Sequence, residues 1–180
     1  WADATSVRLR YPHWLGEWPA VALFFAFAWA ELVWPEKDVP ARLACAVLAY
    51  ALITWAGMFV FGRHIWLARG EAFSLAFGLL ARFAPLGRRS EGPVSFPFMV
   101  FVLLMLATVT YDGFLETPLM QRIQTALYDT PALFALSERG FDQSQLIDTA
   151  LLFVFPLAFV LIFLAVTGNA ARHFVLTLVP

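Results

Sequence analysis

Three acidic residues at the ends of hydrophobic segments are the first candidates for chemistry. Glu31 lies in the last turn of one segment, Asp112 ends another, and Glu116 follows closely. A carboxylate at the centre of a bilayer costs on the order of 2.5–3.5 kcal/mol, so such groups usually face a partner or a watery cavity. If the three converge, they predict a cation or proton site at the outer surface. Carboxylates that cap helices or reach the headgroups are the alternative.

Glu31 and Asp112 in particular should approach each other, because both end their segments on the same side of the membrane. Two close carboxylates raise the pKa of one of them, or they require a cation or a basic side chain between them. Arg122 is one basic candidate for that position.

The three histidines are the second candidates. His13, His64 and His173 all fall near a membrane boundary on one predicted side, which permits a three-histidine metal site. Their spacing is not that of a metal motif, and none lies in mid-span, where helix-bundle haems find axial ligands. Histidines that bond headgroups or backbone are the alternative. No cofactor is evident from the sequence. A metal ion, pigment or haem is possible only with ligands from outside these residues.

The composition decides what kind of elements carry these residues. Of the 180 residues, 61% are hydrophobic, 17% aromatic and only 14% charged, whereas soluble domains are about half apolar and a quarter charged. This composition predicts a membrane protein with the lipid bilayer as its surroundings. The net charge of −1 excludes a nucleic-acid binder, and a single cysteine, Cys45, excludes intrachain disulfides and multi-cysteine metal sites.

Hydrophobic length predicts an all-α, polytopic bundle of about four full spans. A spanning helix needs roughly 20 mostly apolar residues, and aromatic residues flank these stretches as they do at headgroup level. The spans run from about Trp18 to Trp34, Leu43 to Phe61, Phe96 to Tyr111 and Leu146 to Thr167, and another begins at Phe174. We expect residues 1–180 to form one transmembrane region of a longer chain.

The placement of arginines predicts the orientation. Arg10 precedes the first span, five arginines lie between Arg63 and Arg89, and Arg172 follows the fourth span, whereas acids predominate between Asp112 and Gln145. Cytoplasmic loops carry the excess of basic residues. The amino end and the Arg63–Arg89 connection should therefore be cytoplasmic, and the acidic loop should lie outside.

Shorter helices should join the spans. The stretch Glu71–Phe83 is too short to cross, and we expect an amphipathic connector helix in the interface or beneath the bundle, with a re-entrant, pore-forming element as the less favoured alternative. Thr117-Pro118 and Thr130-Pro131 are typical helix starts and predict two roof helices on the outer face. Asp142 with Gln145 resembles a capping box that opens the fourth span.

Two further features concern helix shape. Ala22, Ala26 and Ala30 recur every four residues, a pattern that lets helices approach closely in lipid. Pro156 lies in the middle of the fourth span and should bend it or act as a hinge.

Four stretches carry a resemblance to a known group of proteins. They are YPHWLGEWPA at Tyr11–Ala20, ARGEAFS at Ala68–Ser74, FGLLARFAP at Phe77–Pro85 and TYDGF at Thr110–Phe114. The chain resembles bacterial multi-spanning membrane proteins often labelled fenitrothion hydrolase. The resemblance implies a multi-pass protein of the bacterial inner membrane, and the label implies phosphotriester hydrolysis. It transfers no catalytic residues.

Three functional hypotheses follow from the sequence. The first is a non-catalytic subunit or scaffold of a larger membrane assembly, with other membrane subunits as partners, because packing stripes and aromatic surface are what the sequence displays. The second is a transporter or channel component, which needs discontinuous helices and polar groups near mid-depth; only Thr54, Thr108 and Pro156 come close. The third is a membrane-bound organophosphate hydrolase or another metal-dependent enzyme.

Overall fold

A computed structural model describes residues 9–82, 94–128, 130–131, 140 and 142–178, with side chains as far as residue 167 except that of residue 164. Throughout these residues the secondary structure is helical, without a β-strand, and a short 3-10 turn precedes seven α-helices. The helices are α1 (Trp18–Leu32), α2 (Pro40–Phe61), α3 (Arg63–Arg69), α4 (Ala72–Ala81), α5 (Phe96–Leu115), α6 (Pro118–Tyr128) and α7 (Gln143–Leu178).

Four helical stretches are long and apolar enough to cross a membrane. They are His13–Leu32, Pro40–Phe61, Phe96–Leu115 and Gln143–Thr167, of 20 to 25 residues each. At 1.5 Å per residue, about 20 residues cover the 30 Å hydrocarbon layer. The all-helical fold with four candidate spans is therefore confirmed.

Two of the predicted helix starts are formed as expected. Thr117 Oγ1 accepts the N–H of Met120 at 3.3 Å, one turn into α6. Asp142 Oδ1 accepts the N–H groups of Ser144 and Gln145 at 2.9 and 3.4 Å and so caps α7. The bond from the Ser144 hydroxyl, with those two N–H groups, lowers the pKa of Asp142. The second roof helix, expected after Pro131, falls on residues 132–139, outside the described part of the chain.

The chain divides into two compact units, Trp1–Val102 and Leu103–Pro180. The first unit holds α1 to α4 and the beginning of α5, and the second holds the rest of α5 with α6 and α7. In the second unit Tyr111, 1% exposed, packs on Phe155 with ring centroids 5.2 Å apart. Gln124 of α6 donates to Asp148 of α7 at 2.9 Å. The α-helix of α7 is continuous through Pro156.

In the first unit, three helix ends lie on one side. The Ser95 hydroxyl, just before α5, donates to Glu17 Oε2, just before α1, at 2.6 Å. Tyr11 donates from its hydroxyl to the Gly16 carbonyl at 2.6 Å, and its ring lies 5.1 Å from that of Phe61, the last residue of α2. The starts of α1 and α5 and the end of α2 therefore share a side, as an even number of crossings between them requires.

Helix α3 folds back along α2 after a glycine turn. Gly62 has a φ of +89°, in the left-handed region that favours glycine. The indole of Trp66 then stacks on Phe61 with centroids 5.9 Å apart and an interplanar angle of 10°. The same indole covers Gly57, which lies one turn before the end of α2. The chain thus returns toward the middle of α2 instead of leaving the helix bundle.

Helix α4 begins beside the middle of the spans and returns to their ends. Phe73, in its first turn, lies 5.1 Å from the Phe27 ring of α1 and 5.4 Å from the Tyr50 ring of α2, measured between centroids. The Arg82 guanidinium, just past its end, lies 5.0 Å from the Phe98 ring near the start of α5. Among helix pairs, α2 with α3 and α1 with α4 have the most extensive contacts.

We call α3, the connecting residues Gly70 and Glu71, and α4 the re-entrant hairpin. The predicted helix over this stretch is confirmed, at Ala72–Ala81. It starts beside the middle of α1 and α2, which is the packing that the less favoured, re-entrant alternative requires, and whether it enters the bilayer or lies in the interface stays a prediction. Non-helical backbone is tolerated at such depth only where protein surrounds it, and Gly70 and Glu71 are both buried.

Candidate functional site

The tip of the re-entrant hairpin is built around Trp66. A Cβ added to Gly57 would lie 2.1 Å from this indole, and one added to Gly70 would lie 2.5 Å from it. Neither position has room for a side chain, so the two glycines allow the indole to lie between α2 and the turn. The N–H groups of Gly70 and Glu71 both donate to the Trp66 carbonyl, at 2.7 and 3.0 Å, and so end α3 at this point.

Glu71 then starts α4 with its own side chain. Its backbone is extended, and its two carboxylate oxygens accept the N–H of Phe73 at 3.1 Å and that of Ser74 at 2.5 Å. This satisfies two of the N–H groups that a helix leaves free at its start, where the helix dipole also favours a negative charge. The carboxylate is therefore stabilised where it is, although only 6% of the residue is exposed.

Tyr50 supplies the third hydrogen bond to this carboxylate. Its hydroxyl donates to Glu71 Oε1. Tyr50 lies ten residues after Pro40 and eleven before Phe61, which places it about 15 Å from either end of α2 at 1.5 Å per residue. The hairpin thus brings a carboxylate to a hydroxyl that lies halfway along a helix long and apolar enough to span a membrane.

A cavity of about 720 Å³ lies between α1 and α2 and reaches this level. Apolar side chains of both helices form most of its wall. Phe27, Tyr50 and Phe73 line its inner part, and the polar residues Glu31, Lys37 and Asp38 line it where the loop between the helices begins and ends. The Lys37 ammonium donates to the carbonyl oxygen of Glu31 at 2.7 Å.

The predicted outer carboxylates are exposed in the structure. Glu31 belongs to the first unit, where it lines the cavity, while Asp112 and Glu116 belong to the second. Their convergence into one site, and the approach of Glu31 to Asp112, stay predictions.

The histidine site likewise stays a prediction. His13 and His64 are exposed, and the side chain of His173 lies outside the described residues. In the part of the chain that the structure describes, no three His, Cys, Asp or Glu side chains are grouped closely enough to hold a metal ion.

Two of the three alanines that recur every four residues in α1 line the cavity between α1 and α2. Ala26 and Ala30 line the cavity, opposite Ala46 and Ala49 of α2, and Ala22 is exposed. Small side chains on facing helices therefore leave room here, and whether the stripe also packs against another helix stays a prediction.

Sequence reasoning missed the Tyr50–Glu71 pair. It placed Glu71 on one face of a connector helix and did not single out Tyr50. One signal was available: Glu71 follows a glycine in a stretch too short to span, and Tyr50 stands alone among apolar residues in mid-span. Nothing in the sequence stated that the two stretches meet.

Comparison with known proteins returned no counterpart: no family model, curated protein or solved structure matches this chain. The resemblance to proteins labelled fenitrothion hydrolase stays a prediction, and the site must be interpreted from its own geometry.

Proposed function

We propose that this chain is the membrane part of a transport protein, in which a proton crosses the membrane by way of the Tyr50–Glu71 pair. One observation carries the proposal. A buried carboxylate meets a hydroxyl at mid-depth of α2, at the junction of two short helices that do not cross the membrane.

This arrangement is what transport sites require. Secondary transporters bind substrates and ions near the bilayer midplane, at helices that are interrupted there, with a helix N-terminus facing a negative charge. Ionisable residues at that depth are costly and usually mark ion or proton paths. Glu71 at the N-terminus of α4 has each of these features.

The same unit contains two further buried polar groups. The hydroxyl of Thr54, one turn along α2 from Tyr50, and the indole N–H of Trp66 are buried, and neither has a hydrogen-bond partner among the described residues. A buried polar group without a partner is costly. The Thr54 hydroxyl can both donate and accept a hydrogen bond and the indole N–H can donate one, so each can hold a water molecule, which supports a path for a proton through this unit.

The cavity supplies a route to the pair. It extends from the loop residues Lys37 and Asp38 to Tyr50. Its lining includes exposed side chains of α2, with Leu43 at 51% and Val47 at 60%, so the space is open along the helices as well as at the loop. An open path to a hydroxyl that is bonded to a buried carboxylate is what one state of an alternating-access site needs.

The transport proposal now ranks above the subunit hypothesis. Apolar side chains such as Leu48 and Leu52 are 62% and 61% exposed on α2, but lipid covers such a face as well as another chain does. They therefore do not favour a scaffold. We keep the inner-membrane location and the cytoplasmic placement of the arginine-bearing ends as part of the proposal, on the arginine distribution.

Proton flux into proteoliposomes, read with a pH-sensitive dye under an imposed potential, tests the proposal. Tyr50→Phe removes the hydroxyl and keeps the carboxylate that caps α4; we expect at least tenfold lower flux. Glu71→Asp keeps charge and cap but shortens the reach to Tyr50, so flux should fall as well. Tyr128→Phe, at an exposed tyrosine of α6, is the matched control and should leave flux unchanged.

A purely structural Glu71 gives a different result. Because aspartate is a preferred helix cap, Glu71→Asp would then keep both stability and flux. Wild-type flux in Tyr50→Phe and Glu71→Asp, or no wild-type flux above that of empty liposomes, overturns the proposal.

A further inference from the structure

We propose that the cavity between α1 and α2 binds a lipophilic monovalent cation: an amine or quaternary ammonium, or a similar onium ion, with an apolar body. This inference rests on the proposed transport function and names its substrate class. It is carried by the size, the aromatic lining and the charge of the cavity.

The size and the walls fit a small molecule. A volume of about 720 Å³ lies within the range of about 300–1,000 Å³ that ligand pockets occupy. Leucine, alanine, valine and isoleucine side chains from both helices make most of the wall. An apolar body is therefore favoured, and such a molecule can also enter from lipid.

The inner part of the cavity is aromatic. Phe27, Tyr50 and Phe73 line it as a connected cluster, with Phe73 5.1 Å from Phe27 and 5.4 Å from Tyr50 between ring centroids, and Trp34 lines it nearer the loop. The face of an aromatic ring attracts a cation, and several rings around one space are the way proteins hold quaternary ammonium groups. Neutral ligands gain nothing from this attraction.

The charges at the two ends of the cavity agree with the aromatic lining. Glu31 and Asp38 stand against the single Lys37 near the loop, and the Lys37 ammonium is already bonded to a carbonyl oxygen. At the inner end, the carboxylate of Glu71 lies directly behind the Tyr50 hydroxyl. A monovalent cation is attracted at both ends, whereas an anion of the same shape is repelled.

The pair at the inner end also links this cation to the proton. A cation near Tyr50 and a proton on Glu71 compete for the same negative charge, so each lowers the affinity for the other. Cation binding should therefore weaken once the pH is low enough to protonate Glu71, whose three hydrogen bonds favour the ionised form.

Binding to the full chain in lipid nanodiscs tests the inference, with empty nanodiscs subtracted. Tetraphenylphosphonium is the probe, and tetraphenylborate, of nearly the same shape and opposite charge, is the control. We expect saturable binding of the cation alone. Phe27→Leu removes a ring that lines the cavity and should weaken binding at least fivefold. Phe59→Leu removes an exposed ring of α2 that does not line it and should not.

The outcomes are separable. The inference is overturned if the cation shows no saturable binding or if both ions bind equally. It is also overturned if Phe27→Leu and Phe59→Leu bind the cation with equal affinity. If the cation does not bind but Tyr50→Phe still lowers proton flux, the substrate class fails and the transport function stands. If the cation binds as expected but flux ignores both Tyr50→Phe and Glu71→Asp, the cavity site stands and the proton function fails.

Discussion

Each of the two units contains a carboxylate withdrawn from solvent, and the two differ in depth and in partners. Asp148 lies five residues into α7, about 7.5 Å from its first residue, and its described partner is the neutral amide of Gln124. Glu71 lies at mid-depth of α2 and is held by two backbone N–H groups and a tyrosine hydroxyl.

The difference shows that a carboxylate needs more hydrogen-bond partners at mid-depth of a span than near a helix end. Near a helix end one amide suffices, because water and headgroups are close. At mid-depth the chain supplies a helix start, a hydroxyl and a surrounding hairpin for the same charge. Asp148 links α7 to α6 by one hydrogen bond, whereas the first unit arranges two short helices around Glu71. Because of this difference, the candidate functional site lies in the first unit.

The largest expected effect is an all-or-none difference in labelling. In a Cys45→Ser background, Leu75→Cys near the tip of the re-entrant hairpin should be closed to a membrane-impermeant maleimide from both sides, and Arg82→Cys at its base should react from one side. A helix lying in the interface would expose both positions to the same side. Equal labelling would therefore contradict the re-entrant geometry, and with it the difference in depth between Glu71 and Asp148.

The next effect concerns the packing of Trp66. Gly57→Ala places a methyl group 2.1 Å from the indole, and overpacking of this kind should cost about 3 kcal/mol. At Gly78 and Gly113 an added Cβ meets nothing within 4 Å, so alanine there should be neutral or stabilise by about 0.5–1 kcal/mol. Chemical unfolding in micelles measures all three; a Gly57→Ala protein as stable as the Gly78→Ala control would contradict the described packing.

The two carboxylates should respond differently to isosteric neutralisation. In Glu71→Gln, the amide N–H₂ faces a backbone N–H in either orientation, that of Phe73 or that of Ser74, and the lost acceptor should cost about 2 kcal/mol. Asp148→Asn keeps an oxygen for Gln124, so its cost should stay within about 0.5 kcal/mol. Equal losses of unfolding free energy would mean that depth does not distinguish the two sites.

The smallest effect is the pH dependence of a cap in the second unit. The pKa of Asp142 is lowered in the folded chain from its ordinary 3.8, so the stability it gives is fully present above that value and is lost as the pH falls through the lower folded pKa. Hydrogen exchange at the N–H groups of Ser144 and Gln145 should accelerate over that acid range. Asp142→Asn should abolish the pH dependence, and an unchanged profile in this variant would assign it to another group.

The spans could be predicted from the sequence because they depend on length and hydropathy alone. The predicted starts at Trp18 and Phe96 and the predicted ends at Phe61 and Thr167 match those of helices or candidate spans. The other four boundaries, predicted at 34, 43, 111 and 146, lie at 32, 40, 115 and 143. Helix starts were equally accessible, since Thr117 and Asp142 act on their own neighbours in the chain. Helix capping by neighbouring residues and the hydropathy of a segment are sufficient to predict features of this kind.

The hairpin could not be predicted in the same way. Hydropathy treats Glu71 as a marker of a surface, whereas in the fold its carboxylate accepts two N–H groups of its own helix start and the hydroxyl of Tyr50, 21 residues earlier. The glycines at 57 and 70 likewise have no meaning until Trp66 lies between them. Where a charge is stabilised by a distant partner, residue type and spacing alone point to the wrong environment.

The dependence of Glu71 on Tyr50 also sets an order of events during membrane insertion. Neither α3, with seven residues, nor α4, with ten, is long enough to enter the bilayer as a span. The hydroxyl that receives the carboxylate stands on α2, which leaves the ribosome first. The hairpin therefore enters the membrane by packing against spans that are already inserted. Its insertion is a step of tertiary folding, so the translocation machinery does not have to recognise it.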